Sequence, residues 1–197
     1  MSTTSSSQGI DAAPLRRRRA DAERNRVRVL DAARELFGQR GDEVQMDEVA
    51  RRAGVGVGTL YRHYPTKEAL VAAAAEQRFS EIQAAYRAAR ADVADELEAL
   101  RLLLVHVGEA QTRDRGFSIV VETTLGSGDP PGGARAELEA ELTALVRQGQ
   151  ASGVIRPDID PADALAVTCG LATAIVRRPA REWHHYVDII IDGLRTH

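Results

Sequence analysis

The sequence predicts an all-α chain. Apolar residues recur at helical spacing in segment after segment, and no run alternates apolar with polar residues as a half-buried strand does. Prolines fall between the periodic segments rather than inside them. A length of 197 residues, 44% of them hydrophobic and 28% charged, suits a soluble chain with room for a small module and a larger one.

Residues 1–15 are Ser/Thr-rich with no apolar period, and Arg16 to Arg19 come directly after them, so 1–19 is predicted to be a disordered basic arm. Val27, Leu30, Ala33, Leu36 and Phe37 mark one amphipathic helix over about 20–40, closed by Gly41. In MDEVARRAG, Met46, Val49, Ala50 and Ala53 share a face, and Gly54 stands where a left-handed cap ends the helix. An apolar pattern resumes at Val57, Leu60 and Tyr64 and stops before Pro65, and Thr66 is an N-cap for the next helix. That longer helix, from Lys67, carries Leu70, Ala74, Phe79, Ile82 and Tyr86 towards residue 90. Further helices are expected at about 92–112, 115–125, 134–151, 162–177 and 181–195, with a loop at GSGDPPGG, 126–133. The helix at 162–177 is apolar nearly all round, which predicts burial between others and makes Cys169 a buried thiol.

Several kinds of chemistry are excluded. GVGVGT at 54–59 resembles a phosphate loop, but the third glycine of the dinucleotide fingerprint is replaced by Thr59, no Gly-Lys-Ser/Thr comes after it, and a helix rather than a strand precedes it. Cys169 is the sole cysteine, so neither an intrachain disulfide nor a paired-cysteine metal site is available. The histidines are adjacent (His184, His185) or on separate segments (His63, His106), so no metal site is expected. No nucleophile–base pair or carboxylate pair stands at a usable spacing, so the chain is read as not an enzyme, with no cofactor. No apolar run is long enough to span a membrane and none comes after the N-terminal arginines, which places the chain in the cytoplasm without a membrane partner. Charge is divided: residues 1–75 hold 13 Lys+Arg against 10 Asp+Glu, whereas 76–197 hold 13 against 19. Only the first third is suited to a polyanion.

Helix, glycine turn and short helix over 46–64 is the layout of a DNA-binding helix-turn-helix, with 20–66 as a three-helix domain. On the second short helix Leu60 and Tyr64 face the core, while Gly58, Thr59, Tyr61 and Arg62 spread over the other side. Arg62 is the candidate for reading guanine through O6 and N7. Thr59 is placed against a thymine methyl or a phosphate, and Tyr61 against a phosphate or base. Gly58, without a side chain, permits close approach. Lys67, in the first turn of the next helix, suits a phosphate.

The run LDAARELFGQRGDEVQMDEVARRAGVGVGTLYRHYPTKEAL resembles the N-terminal DNA-binding domain of the TetR family of bacterial transcriptional regulators, densely over about residues 24–70. Beyond residue 71 only the all-helical plan, ending in a helix like YVDIIIDGLR, is similar. The resemblance implies that His63 and Lys67 contact the DNA backbone. It also implies that 67–197 binds a small effector and dimerises through its last helices. Three positions depart from the family pattern: Gln45 and Gly56 replace hydroxyl N-caps, so the two short helices are expected to start loosely or to be capped otherwise, and Tyr64 stands where phenylalanine is commoner.

The reading is a homodimeric, ligand-responsive regulator, a repressor that binds a palindromic operator in double-stranded DNA and is released by a small molecule. The alternative is a DNA-binding adaptor without a ligand, controlled by a protein partner. Candidate pocket residues are Phe79, Tyr86, His106, Arg113, Phe117, Glu122 and Thr123, several of them polar groups within otherwise apolar helices. The apolar stripes of the helix at 134–151 and of the last helix predict a four-helix dimer contact through Leu142, Leu145, Ile190 and Leu194.

Overall fold

The structure, a computed structural model, describes residues 12–93, 95–125, 133–178 and 182–196, with side chains from Arg16 onward. Nine α-helices lie among these residues: α1 Ala12–Arg40, α2 Met46–Ala53, α3 Val57–His63, α4 Lys67–Arg90, α5 Glu96–Arg113, α6 Arg115–Leu125, α7 Gly133–Ser152, α8 Pro161–Arg177 and α9 His184–Leu194. A single 3-10 turn, Gly41–Glu43, joins α1 to α2. The expected loop at 126–133 lies outside the described residues except for Gly133, which opens α7.

The N-terminal arm needs correction. Residues 1–11 lie outside the described residues, but Arg16 to Arg19 belong to α1 and are exposed along it. Residues 16–24 are exposed throughout, so this stretch has no apolar stripe to bury. Its alanines, arginines and glutamate favour a helix regardless, and the i,i+3 pairs Asp21–Arg24 and Glu23–Arg26 support it.

Two cores divide the molecule. The first gathers Leu30, Ala33 and Phe37 of α1, Met46, Val49 and Ala53 of α2, Leu60 of α3 and Leu70 to Ala75 of α4. Phe117 and Val120 of α6 complete it. The second gathers Ile82 and Tyr86 of α4 with Leu100 to Leu104 of α5, Leu142 to Val146 of α7, Leu171 and Ile175 of α8 and Val187 to Leu194 of α9. α4 runs through both, and α6 of the larger unit supplies side chains to the smaller one.

The contact between α1 and α6 is set by Gly116, which meets the backbone of Gly38. A Cβ placed on Gly116 would lie 1.9 Å from the Gly38 carbonyl oxygen and 2.9 Å from its Cα, so the two backbones touch only because Gly116 carries no side chain, whereas a Cβ on Gly38 would make an ordinary contact of 3.5 Å with Phe117 N. Charges close the same crossing. Arg34 of α1 donates to Glu81 at 2.7 Å and to Asp114 at 2.5 Å, with little of its side chain exposed. Burial works against the Arg34 charge, but the bonds and charges of Glu81 and Asp114 outweigh it and hold the guanidinium protonated. Elsewhere the chain end is clamped to the α7–α8 turn, where Arg156 N–H donates to Leu194 and Thr196 N–H to Val154.

The expected dimer stripe is also corrected. Leu142 and Leu145 are 2% exposed and Leu194 8%, all consumed by the core of one protomer, and of the four residues only Ile190 stays half-buried at the edge of that core. α8, expected to be buried on all sides, buries Ala164, Leu171 and Ile175 but leaves Ala166, Val167, Cys169, Gly170 and Thr173 exposed. Cys169 is therefore a surface thiol rather than a buried one.

Candidate nucleic-acid interface

α2 packs on α1 and α3 packs on α2, their apolar sides joining the first core, which leaves the opposite sides for a partner. Gly54 caps α2 at φ 66° and ψ 37°, as its position predicted, and its N–H bonds back to α2 carbonyls. The weak cap at Gln45 is compensated from within the helix: Glu48 reaches back to accept the Gln45 N–H at 3.1 Å and is itself held by Arg40 at 3.0 Å. Those bonds hold the Glu48 carboxyl below the usual range, with Arg40 the larger cause. Gly56 starts α3 with its carbonyl alone, which accepts from Thr59 and Leu60.

On α3 Leu60 is 1% exposed, whereas Gly58, Tyr61, Arg62 and His63 are exposed and Thr59 half-buried. Arg62 folds back along its own helix, its Nε donating to the Gly58 carbonyl at 3.2 Å and an Nη to Thr59 Oγ1 at 3.1 Å. These long bonds to solvent-exposed groups are weak and exchangeable for a better acceptor. Lys67 is held more firmly. It contacts the Asp42 carbonyl, pairs with the Asp42 carboxylate at 2.7 Å, and lies 5.3 Å from the centre of the Phe37 ring. It thus ties the 3-10 turn to α4, and a phosphate would have to compete with Asp42 for it. A Cβ on Gly58 would meet nothing within 4 Å. Gly58→Ala is therefore expected to raise the melting temperature slightly, by removing glycine from a helix interior, while weakening DNA binding through the added methyl. A variant that melts higher and binds DNA as before would show that α3 does not approach the backbone closely.

The pocket candidates scatter. Phe79 and Phe117 come together around Arg78 of α4, and Tyr86 sits in the second core with its hydroxyl 3.4 Å from Glu141. His106 lies mostly buried on α5 with Nδ1 3.4 Å from Glu109 and no partner for Nε2. The other three lie at the surface. Arg113 pairs with Glu81 and Asp114, Glu122 pairs with Arg177, and Thr123 returns its hydroxyl to α6 carbonyls. Arg113 also borders an open cleft of about 570 Å³ between α1, α4 and the α5–α6 corner, beside Arg34, Asp114 and Gly116.

Arg78 itself was not anticipated. It is 3% exposed, its Nη1 donates to Ser118 Oγ at 2.7 Å, and its Nε has no partner. Burial pulls its pKa down to about 10. The signal was present in the sequence, since Arg78 lies four residues after Ala74 and four before Ile82, at a core position of α4. Among the described residues, no cluster of three or more His, Cys, Asp or Glu could hold a metal ion, and no helix is long and apolar enough to cross a membrane.

A helix-turn-helix whose second helix turns hydrogen-bonding side chains outward, carried on a larger helical body, defines a DNA-binding transcriptional regulator. Comparison with known proteins agrees. Residues 29–74 match the family model of bacterial regulatory proteins, TetR family, and residues 106–196 match that of the SbtR-like transcriptional regulator C-terminal domain. The crystal structure of the TetR transcription regulatory protein from Mycobacterium vanbaalenii is 38% identical, with a TM-score of 0.60 over 90% of this chain and 99% of that one. The TetR transcriptional regulator SCO0520 from Streptomyces coelicolor is 33% identical, with a TM-score of 0.63 over 86% and 98%. The HTH-type transcriptional repressor KstR from Rhodococcus jostii is 40% identical over 90 residues, 45% of this chain and 42% of that protein, so the match spans less than half of its length. The chain belongs to the TetR family, whose members are transcriptional regulators and not enzymes.

Proposed function

We propose that the chain is a repressor that binds a palindromic operator as a homodimer and leaves it when a small-molecule effector occupies the helical domain. The observation that carries this reading is the one-sidedness of α3, where Leu60 is buried while Gly58, Tyr61, Arg62 and His63 are exposed. Arg62 reads guanine, Thr59 and Tyr61 supply neighbouring contacts to base or phosphate, and His63 and Lys67 bind the backbone. The likeness to a repressor, KstR, supports the same direction of control. Because effector and operator favour different settings of the two α3 helices, each lowers the affinity of the other.

The dimer is assigned to α8 and α9. Val167 on α8 is 47% exposed and Ile189 on α9 55%, and small residues at Ala166, Gly170 and Gly193 allow helices of a second copy to approach closely. Ile189→Arg is expected to give a folded monomer that retains weak binding to a single half-site and loses tight binding to the full operator. Sedimentation checks the first part; an Ile189→Arg protein that remains dimeric would displace the interface from α9. The functional reading is tested by selection from random duplex DNA, which is expected to return an inverted repeat with half-sites one helical turn or a multiple apart. A direct repeat or a single site would remove the palindrome.

A further inference from the structure

The least explained group in the molecule is the Arg78 guanidinium. An arginine buried this deeply normally faces a carboxylate, because a buried charge without a counter-charge is costly. Arg78 has no ion pair among the described residues. Its direct polar contact is the neutral Ser118 hydroxyl, which is further bonded to Gln111 Oε1 and to the Asp114 carbonyl. The remaining contacts are aromatic: Phe79 and Phe117 have ring centres 5.5 and 5.6 Å from the guanidinium carbon. The carboxylates of Asp114 and Glu81 reduce its cost only from a distance, and Arg34 and Arg113 add to it.

We propose that Arg78 is the anchor for a carboxylate on the effector, which is therefore an organic acid with an apolar body. This rests on the small-molecule reading above and names the chemical class. Nη1 is committed to Ser118, so the guanidinium offers its Nε edge, the side on which a flat carboxylate binds with two parallel hydrogen bonds. One buried cation with a neutral hydroxyl and amide beside it suits a monoanion better than a phosphate dianion. The approach is along Phe79, which is only partly buried and which a second guanidinium, that of Arg135 on α7, also overlies at 5.9 Å while pairing with Glu139. An acid seated there bonds the guanidinium that also holds Ser118, two residues beyond Gly116, and so acts on the helix that presses against α1.

The test uses the full chain in three forms: wild type, Arg78→Met and Arg78→Lys. Probes are decanoate and 3-phenylpropanoate, their primary amides, and hexyl phosphate, at constant ionic strength, read by melting temperature and calorimetry. Decanoate or phenylpropanoate is expected to raise the wild-type melting temperature and the amides are not. Arg78→Met, without ligand, is expected to melt no lower than wild type, since an apolar chain replaces an uncompensated charge, and to bind the acids about 10- to 100-fold more weakly. Arg78→Lys is expected to fall between. The proposal is overturned if Arg78→Met binds the acids as wild type does, if it melts well below wild type, or if hexyl phosphate alone binds. If the acids do not bind while amides or other neutral compounds of a broad screen do, the effector reading stands and the acid anchor falls. If nothing in such a screen binds, both fall together.

Discussion

Replacing Arg62 by alanine is expected to lower affinity for the cognate operator by about 1–3 kcal/mol per half-site and to flatten discrimination at one base pair in each. Little stability should be lost, because Arg62 is exposed and its bonds to Gly58 and Thr59 are weak. Lys67→Ala is expected to behave differently on two counts. On the proposed roles it removes one phosphate contact from each protomer of a dimer, so cognate and scrambled DNA should weaken alike and the slope of log K against log salt should become shallower by about 1.8. It also releases Asp42 and uncovers Phe37, so the melting temperature falls as well. Titrations of both variants against specific and scrambled duplexes at several salt concentrations separate the roles. An altered salt slope for Arg62→Ala with an unchanged one for Lys67→Ala would reverse them.

Gly116→Ala is expected to have the largest effect outside α3. The added methyl would stand 1.9 Å from the Gly38 oxygen and 2.7 Å from its carbonyl carbon, and backbone cannot turn aside as a side chain can. α6 and α1 must separate, at a cost of about 1–3 kcal/mol, which lowers the melting temperature by about 2–12 °C for a chain of this size. Because α1 carries the helix-turn-helix, operator affinity should change even though no DNA-facing residue has been touched. Gly58→Ala controls for helix propensity, having open space around it. If Gly116→Ala melts with wild type, the helices are not in contact there.

Much of this was legible in the sequence wherever the determinant is local. The capping glycine at Gly54, the stripe of α2 and the division of α3 around Leu60 depend on residues a few positions apart, and the structure reproduces them. The helical start of α1 carries no apolar stripe in the sequence, because 16–26 is held by helix propensity and short-range ion pairs. That Leu142, Leu145 and Leu194 are buried within one protomer is not a local property. A stripe shows that a helix buries one side and not whether the cover comes from its own chain; α5 and α8 cover Leu142 and Leu145 within the protomer. The small residues of α8 read as uniformly apolar but leave one face bare. Arg78 went unnoticed because a charge among alanines on a long helix reads as surface unless its register is traced.

The seating of Phe117 and Val120 in the first core has a consequence for synthesis. The helices that bind DNA leave the ribosome early, but the side chains that complete their interior come 47 positions after Leu70. At 5–20 residues per second that interval is about 2–9 s, during which the newborn head carries an open apolar seat and cannot reach its final packing. The DNA-reading unit therefore matures only once α6 has been made. A head grafted onto another body would face the same vacancy permanently unless a matching α6 came with it.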